Sequence, residues 1–213
     1  MKIAPFPYQL SRHGWISVAY NQNIWIPCPP VFPEGLDRRS WAMLYAEEWW
    51  SRTSLPHGKR EINSMARRLA DIHAYAYRHV PMHLGFLHLP SLQLAPQLVS
   101  FGIWEAVGDR TEQLRLLIQA DEPAAMQPPA VEEFGTDNLG PGLKALGYSR
   151  DKKDVVTGHL AYAWRSEELA TALRMFTGGS DLGRLQRALP DIEDLARTVA
   201  WVPFERGSVP GAP

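Results

Sequence analysis

Hydrophobic periodicity along the chain runs from strands to helices, back to strands, and again to helices. Trp15 to Tyr20 and Ile24 to Pro27 alternate as two short strands, and Asn21-Gln22-Asn23 between them has the chemistry of a hairpin turn. Cys28-Pro29-Pro30 then ends the pairing, because proline offers no amide hydrogen to a ladder. From Asp37 onward the spacing is helical. Asp37 serves as the cap, Trp41, Leu44, Tyr45 and Trp49 form the apolar stripe, and Met43, Ala46 and Trp50 widen it, so this helix is buried on more than one side. Pro56-His57-Gly58 breaks it. A second helix follows, with Ile62, Met65, Ala66, Leu69, Ile72, His73 and Ala76 on one face and Lys59, Arg60, Arg67, Arg68 and Arg78 largely elsewhere, and Pro81 marks its end.

Beyond Pro81 the period shortens. Met82 to Leu89 and Gln97 to Val107 read as strands joined by a proline-bearing loop, and Asp109 with Glu112 makes a capping box for a short helix reaching about Gln119. Val131 to Thr136 reads as an edge strand after an unstructured stretch from Ala120 to Pro129. Leu143 to Ser149, Val155 to Arg165 and Leu169 to Thr177 are sequential strands, and Val156, Leu160, Tyr162 and Trp164 share a face of the middle one. After Gly178-Gly179, Ser180 is expected to cap a helix carrying Leu182, Leu185 and Leu189; Asp191 is expected to start another, carrying Ile192, Leu195, Ala196 and Val199. The pattern predicts an α+β fold, an antiparallel meander covered by amphipathic helices, as a single domain over 1–206 with a disordered tail over 207–213.

Composition narrows the function classes. The 213 residues are 45% apolar and 21% charged, enough for one sizeable core, and a net charge of -1 supplies no overall field for nucleic acid or an anionic membrane. Cys28 is the only cysteine, which leaves no intramolecular disulfide and no thiolate cluster for zinc. The opening Met1-Lys2-Ile3-Ala4-Pro5-Phe6-Pro7 lacks the apolar core of a signal peptide, so cytoplasmic residence is expected.

Each candidate for chemistry meets a plainer competitor. Cys28 lies between prolines at a strand end, outside any cysteine-hydrolase signature, where a free cysteine behaves as a small buried hydrophobe. His73, His79, His83 and His88 form the one cluster of metal-ligating residue types, yet six positions apart on a helix and five apart in a strand point rings to different faces. Glu47-Glu48 and Glu132-Glu133 diverge as adjacent residues must, and Gly140-Pro141-Gly142 and Gly178-Gly179 fit no phosphate-binding fingerprint. The basic face of the second helix, with Tyr75 and Tyr77 as stacking candidates, is interrupted by Glu61 and Asp71. The eight tryptophans are more informative. Trp49 and Trp50 are consecutive and diverge by about 100° on a helix, which makes Trp41 and Trp49 core residues and brings Trp50 nearer the surface as an interface anchor.

The pairs Trp15-Ile16 and Trp25-Ile26-Pro27 ahead of the helices, followed by the meander from Leu143 to Thr177, resemble the Mog1/PsbP-like α+β fold. The ending, Asp181-Leu182-Gly183-Arg184-Leu185 and then Leu189-Pro190-Asp191-Ile192-Glu193-Asp194-Leu195-Ala196-Arg197, is similar to actinobacterial proteins associated with type VII secretion. That resemblance implies a non-enzymatic adaptor or accessory role without an active site to transfer. The resulting expectation is a cytoplasmic protein-binding module without cofactor or metal. Its partner is another protein rather than nucleic acid or membrane, a homo-oligomer is compatible with it, and Tyr45, Trp50 and Arg52 are its interface residues. The alternative is a small-molecule or metal-dependent enzyme built on the histidine-bearing segment 73–88.

Overall fold

The structure, a computed structural model, describes residues 14–203. Its elements run β1 (Gly14–Val18), β2 (Trp25–Cys28), α1 (Arg38–Ser51), α2 (Lys59–His79), β3 (Leu84–His88), β4 (Gln97–Glu105), α3 (Arg110–Leu117), β5 (Ala130–Glu133), β6 (Gly142–Arg150), β7 (Val156–Ser166), β8 (Thr171–Gly179), α4 (Leu182–Arg197) and β9 (Val199–Pro203). This is an α+β fold. Strand order is β2-β3-β4-β8-β7-β6-β5 in a seven-stranded sheet, and β1 with β9 makes a two-stranded one. The described chain falls into two compact units, residues 21–100 and residues 14–20 with 101–203. The expected tail at 207–213 lies outside the described residues.

In the unit of residues 21–100, β2 pairs antiparallel with β3, setting Ile26 against Leu87 and Cys28 against Gly85. The Asp37 carboxylate accepts a hydrogen bond from Ser40 N at 2.7 Å and so satisfies an orphan amide of the first turn of α1. Gly58, extended, starts α2, with its N–H donated to Glu61 Oε2 at 2.9 Å. Ala66, Leu69, His73 and Ala76 step by three and four along the inward side of α2. Ala66 and Leu69 join Trp41, Ala42, Ala46, Trp49, Ile26 and Leu87 in one core, and the His73 ring packs on Trp41. Trp41 and Trp49 are 2% and 5% exposed, as their spacing predicts, but Leu44 is 54% exposed and leaves the expected stripe. Alanines 42 and 46 take the inward positions instead, because two helices packed closely have room there for a methyl group and not for a leucine.

In the other unit, β6, β7 and β8 form the anticipated meander, with Ala145 opposite Ala161 and Ala163 opposite Arg174. Gly158 to Arg165 are all buried, because both faces of β7 are covered. On one face Leu114 and Ile118 pack on Ala145, Ala161 and Ala163. On the other, α4 lies so close that a Cβ on Gly158 would meet Leu182 and Leu185 at 2.9 Å. Phe134 stands edge-on to Tyr162 and Trp164 there, and its carbonyl accepts from the Trp164 indole at 3.2 Å.

Three expectations are corrected. β1 and β2 do not form a hairpin: Asn21 O accepts from Ile24 N and Trp25 N, which closes a turn that separates them, and β1 pairs with β9, with Ile16 opposite Trp201. β9 was itself unforeseen, since Val199 continues the helical spacing of the preceding residues; the helix stops at Thr198, whose hydroxyl bonds Ala19 O and Leu195 O. Finally, α4 is one helix, capped by Asp181 rather than Ser180, with Pro190 inside it. Pro190 has no amide hydrogen to donate to the carbonyl of Gln186, a residue on the exposed side of the helix.

Candidate functional site

The unit of residues 21–100 carries an open groove of about 370 Å³ beside α2. Arg60, Glu61, Ser64, Met65, Arg68 and Leu69 line it, pairs of positions repeating every four residues, so one strip of the helix surface forms a wall. Leu89, Leu92, Leu94 and Pro96 supply the opposite wall and Trp50, in the last turn of α1, closes one end. The loop after β3 is held in place at its start: Leu89 N donates to Ile24 O at 2.8 Å, and the Trp49 indole donates to Leu89 O at 3.0 Å. Ser91 then turns the chain, its hydroxyl accepting from Gln93 N and its carbonyl from Leu94 N. The apolar lining from the loop is therefore positioned by hydrogen-bonded backbone, and the exposed charged groups stand at the rim.

Trp50 is half-buried and stacks on His57, ring centroids 5.1 Å apart. Its indole N–H is enclosed without a hydrogen-bond partner among the described residues, a state that costs about 1–3 kcal/mol. Of the rim groups, Glu61 is committed to Gly58 N, and the amides around it hold its carboxyl below the usual range. Arg60 and Arg68 remain exposed, which leaves the rim positive.

The three expected interface residues do not come together here. Tyr45 sits between the rings of Trp41 and Trp49, at 5.8 and 6.3 Å. Arg52 lies 4.5 Å over the Trp49 ring, donates to Gln22 O at 2.7 Å and pairs with Glu48, so it covers the outside of α1. Trp50 alone lines the groove, and its arginines are Arg60 and Arg68. The four-residue step from Arg60 through Ser64 to Arg68 was the signal that could have pointed to them.

The histidines of segment 73–88 are dispersed. His73 donates from Nε2 to Pro29 O at 2.8 Å and packs among Phe32, Trp41 and Tyr77, so it closes the proline run together with Trp41, which donates to Pro27 O, and Tyr77, which donates to Cys28 O. His79 lies tilted against Tyr75 with ring centroids 4.6 Å apart, and His88 lies beside Trp25 at 4.7 Å. No group of three histidine, cysteine, aspartate or glutamate side chains converges as a metal site among the described residues. Cys28 is fully buried, and that burial pushes its thiol up to about 12, far from a nucleophile's range. Glu132 and Glu133 are both exposed, Glu132 pairs with Lys144 at 2.8 Å, and as neighbours in β5 they point to opposite faces. At the start of α4 the Asp181 carboxylate takes Arg184 N at 2.9 Å, the place an anion would occupy.

No family model matches the chain, and no curated protein matches it. Among solved structures it is similar to LpqN of Mycobacterium tuberculosis, described as involved in cell envelope biogenesis, at 8% identity and a TM-score of 0.50 over 89% of this chain and 84% of that one. At that identity the likeness is one of fold. The expected resemblance to the Mog1/PsbP-like fold family finds no support in this comparison. No helix among the described residues is long and apolar enough to cross a membrane.

Proposed function

We propose that the chain is a non-enzymatic accessory module that holds a short segment of another protein in the groove closed by Trp50. The observation that carries this reading is the groove's composition: apolar walls from Met65, Leu69, Leu89, Leu92 and Leu94, closed at one end by Trp50, and two exposed arginines at the rim. The segment that matches it has an apolar side chain to fit between the walls against Trp50 and an acidic neighbour for Arg60 or Arg68. A cytoplasmic, secretion-associated setting belongs to the same proposal, and the fold shared with an envelope-biogenesis protein is compatible with an accessory role there. Cell fractionation tests the location.

The binding itself is tested with a photo-crosslinking side chain placed at Ser64, on the rim, and at Tyr75, which is exposed and away from the groove. Ser64 is expected to capture one discrete segment bearing apolar and acidic residues, and Trp50→Glu is expected to abolish that capture with the far-UV circular dichroism unchanged. Equal capture from both positions, or capture that survives Trp50→Glu, would sink the reading.

A further inference from the structure

We propose a second, independent site in the unit of residues 14–20 and 101–203: a cleft over Arg174 that binds a small organic carboxylate with an apolar or aromatic body. Arg174 lies in β8 on the face covered by α3, opposite Ala163, with Phe176 opposite Ala161. The two alanines leave space, and the guanidinium fills part of it by lying 4.2 Å over the Phe176 ring. Its Nε is enclosed without a partner, and its side chain makes no hydrogen bond or ion pair among the described residues. The neighbouring arginines differ. The Nε of Arg165 is likewise enclosed, but its terminal nitrogens donate to Val107 O, Gly108 O, Gln113 and Glu167, and Arg110 donates to Arg165 O and Pro141 O.

An unpaired half-buried cation is an expensive feature in a folded chain, and the usual reason for keeping one is an anion that comes and goes. Burial lowers the proton affinity of Arg174 to about 10, which still leaves it charged near neutral pH. It opens on a cleft of about 600 Å³ whose apolar surface comes from Trp104, Leu116 and Leu117. Leu116 is 76% exposed, a large aliphatic side chain that nothing among the described residues covers. A guanidinium reads a carboxylate through paired N–H donors, and the indole with the leucines accommodates a flat or aliphatic body. The acidic residues of the cleft set the charge of the ligand: Asp121 is neutralised by Arg115 at 2.6 Å, while Glu112 and Glu122 repel a second negative charge. A monocarboxylate fits these conditions and a phosphate dianion does not.

Isothermal calorimetry with indole-3-acetate, its neutral amide and phenyl phosphate tests the assignment on the full chain. Indole-3-acetate is expected to bind saturably and at least about tenfold more tightly than the amide or the phosphate, a difference of about 1.4 kcal/mol. Arg174→Gln is expected to erase that preference. Because Arg174→Gln removes a half-buried group, Leu116→Asp serves as a second variant at an exposed position, expected to weaken the carboxylate about tenfold without changing the unfolding midpoint. Absence of saturable binding by indole-3-acetate, equal binding of the amide, tighter binding of the phosphate, or unchanged affinity in both variants would overturn the proposal. Loss of groove crosslinking at Ser64 bears only on the first site, so failures of the two readings are distinguishable.

Discussion

Trp49 concentrates more of the local energetics than any other residue of α1. It is buried, donates its indole N–H to Leu89 O at 3.0 Å, touches Tyr45 and is covered by Arg52. Trp49→Ala is expected to cost about 3–5 kcal/mol in urea denaturation, whereas a loss below about 1 kcal/mol would mean that the α1 core repacks freely. Three histidines make stability depend on pH. Burial lowers the proton affinity of His73, His83 and His159 below the ordinary value of 6.5. As pH falls through that value the unfolded chain takes up protons that the folded chain refuses, so stability is full above it and declines below it. His73→Gln keeps a donor for Pro29 O and removes one such proton. Its loss of stability between about pH 7.5 and pH 5 should be smaller than that of the wild type; an equal loss would assign the pH dependence to other groups.

At the scale of elements, local chemistry accounts for where helices begin and end. Asp37, Gly58 with Glu61, Asp109 and Asp181 each satisfy an amide at a helix start. The interior of α4 runs against local preference, since Pro190 removes a hydrogen bond in mid-helix. Burial of Leu185, Ala188, Ile192 and Leu195 against the sheet outweighs that cost and keeps the helix continuous. Pro190→Ala restores the missing donor and is expected to raise stability by about 1 kcal/mol or more, even after the unfolded chain regains some freedom. Thermal unfolding followed by circular dichroism measures it. A fall in stability would mean that a bend at Pro190 is needed to seat Ile192 and Leu195.

For the whole molecule, the α+β architecture is common to the hydrophobic pattern and the structure, and each of the two compact units has a core of its own. We propose that the two units unfold together as a single domain: calorimetry should give one transition whose calorimetric and van't Hoff enthalpies agree. Two transitions, one of them shifted by Trp49→Ala and the other by Pro190→Ala, would instead make residues 21–100 an independently folding domain.

The sequence by itself determined those features that a few adjacent residues decide: the caps at Asp37 and Asp109, the proline stops after Cys28 and His79, the four-residue pattern of α2, and the alternation and turns of the meander from β6 to β8. It also separated Trp41 and Trp49 from Trp50, because the angle between neighbours on a helix is a property of the backbone alone. Tertiary structure decided whatever depends on residues far apart in the chain. The pairing of β1 with β9 joins residues 14–18 to residues 199–203, and no turn signal announces a ladder closed over that distance. The exposure of Leu44 depended on which side of α1 faces α2, and the placement of Arg52 over Trp49 depended on the carbonyl of Gln22. The groove at Trp50 and the unpaired guanidinium of Arg174 were hidden for the same reason. A cavity and an absent partner are properties of the space between elements, and a linear pattern records only which side chains are available to fill it.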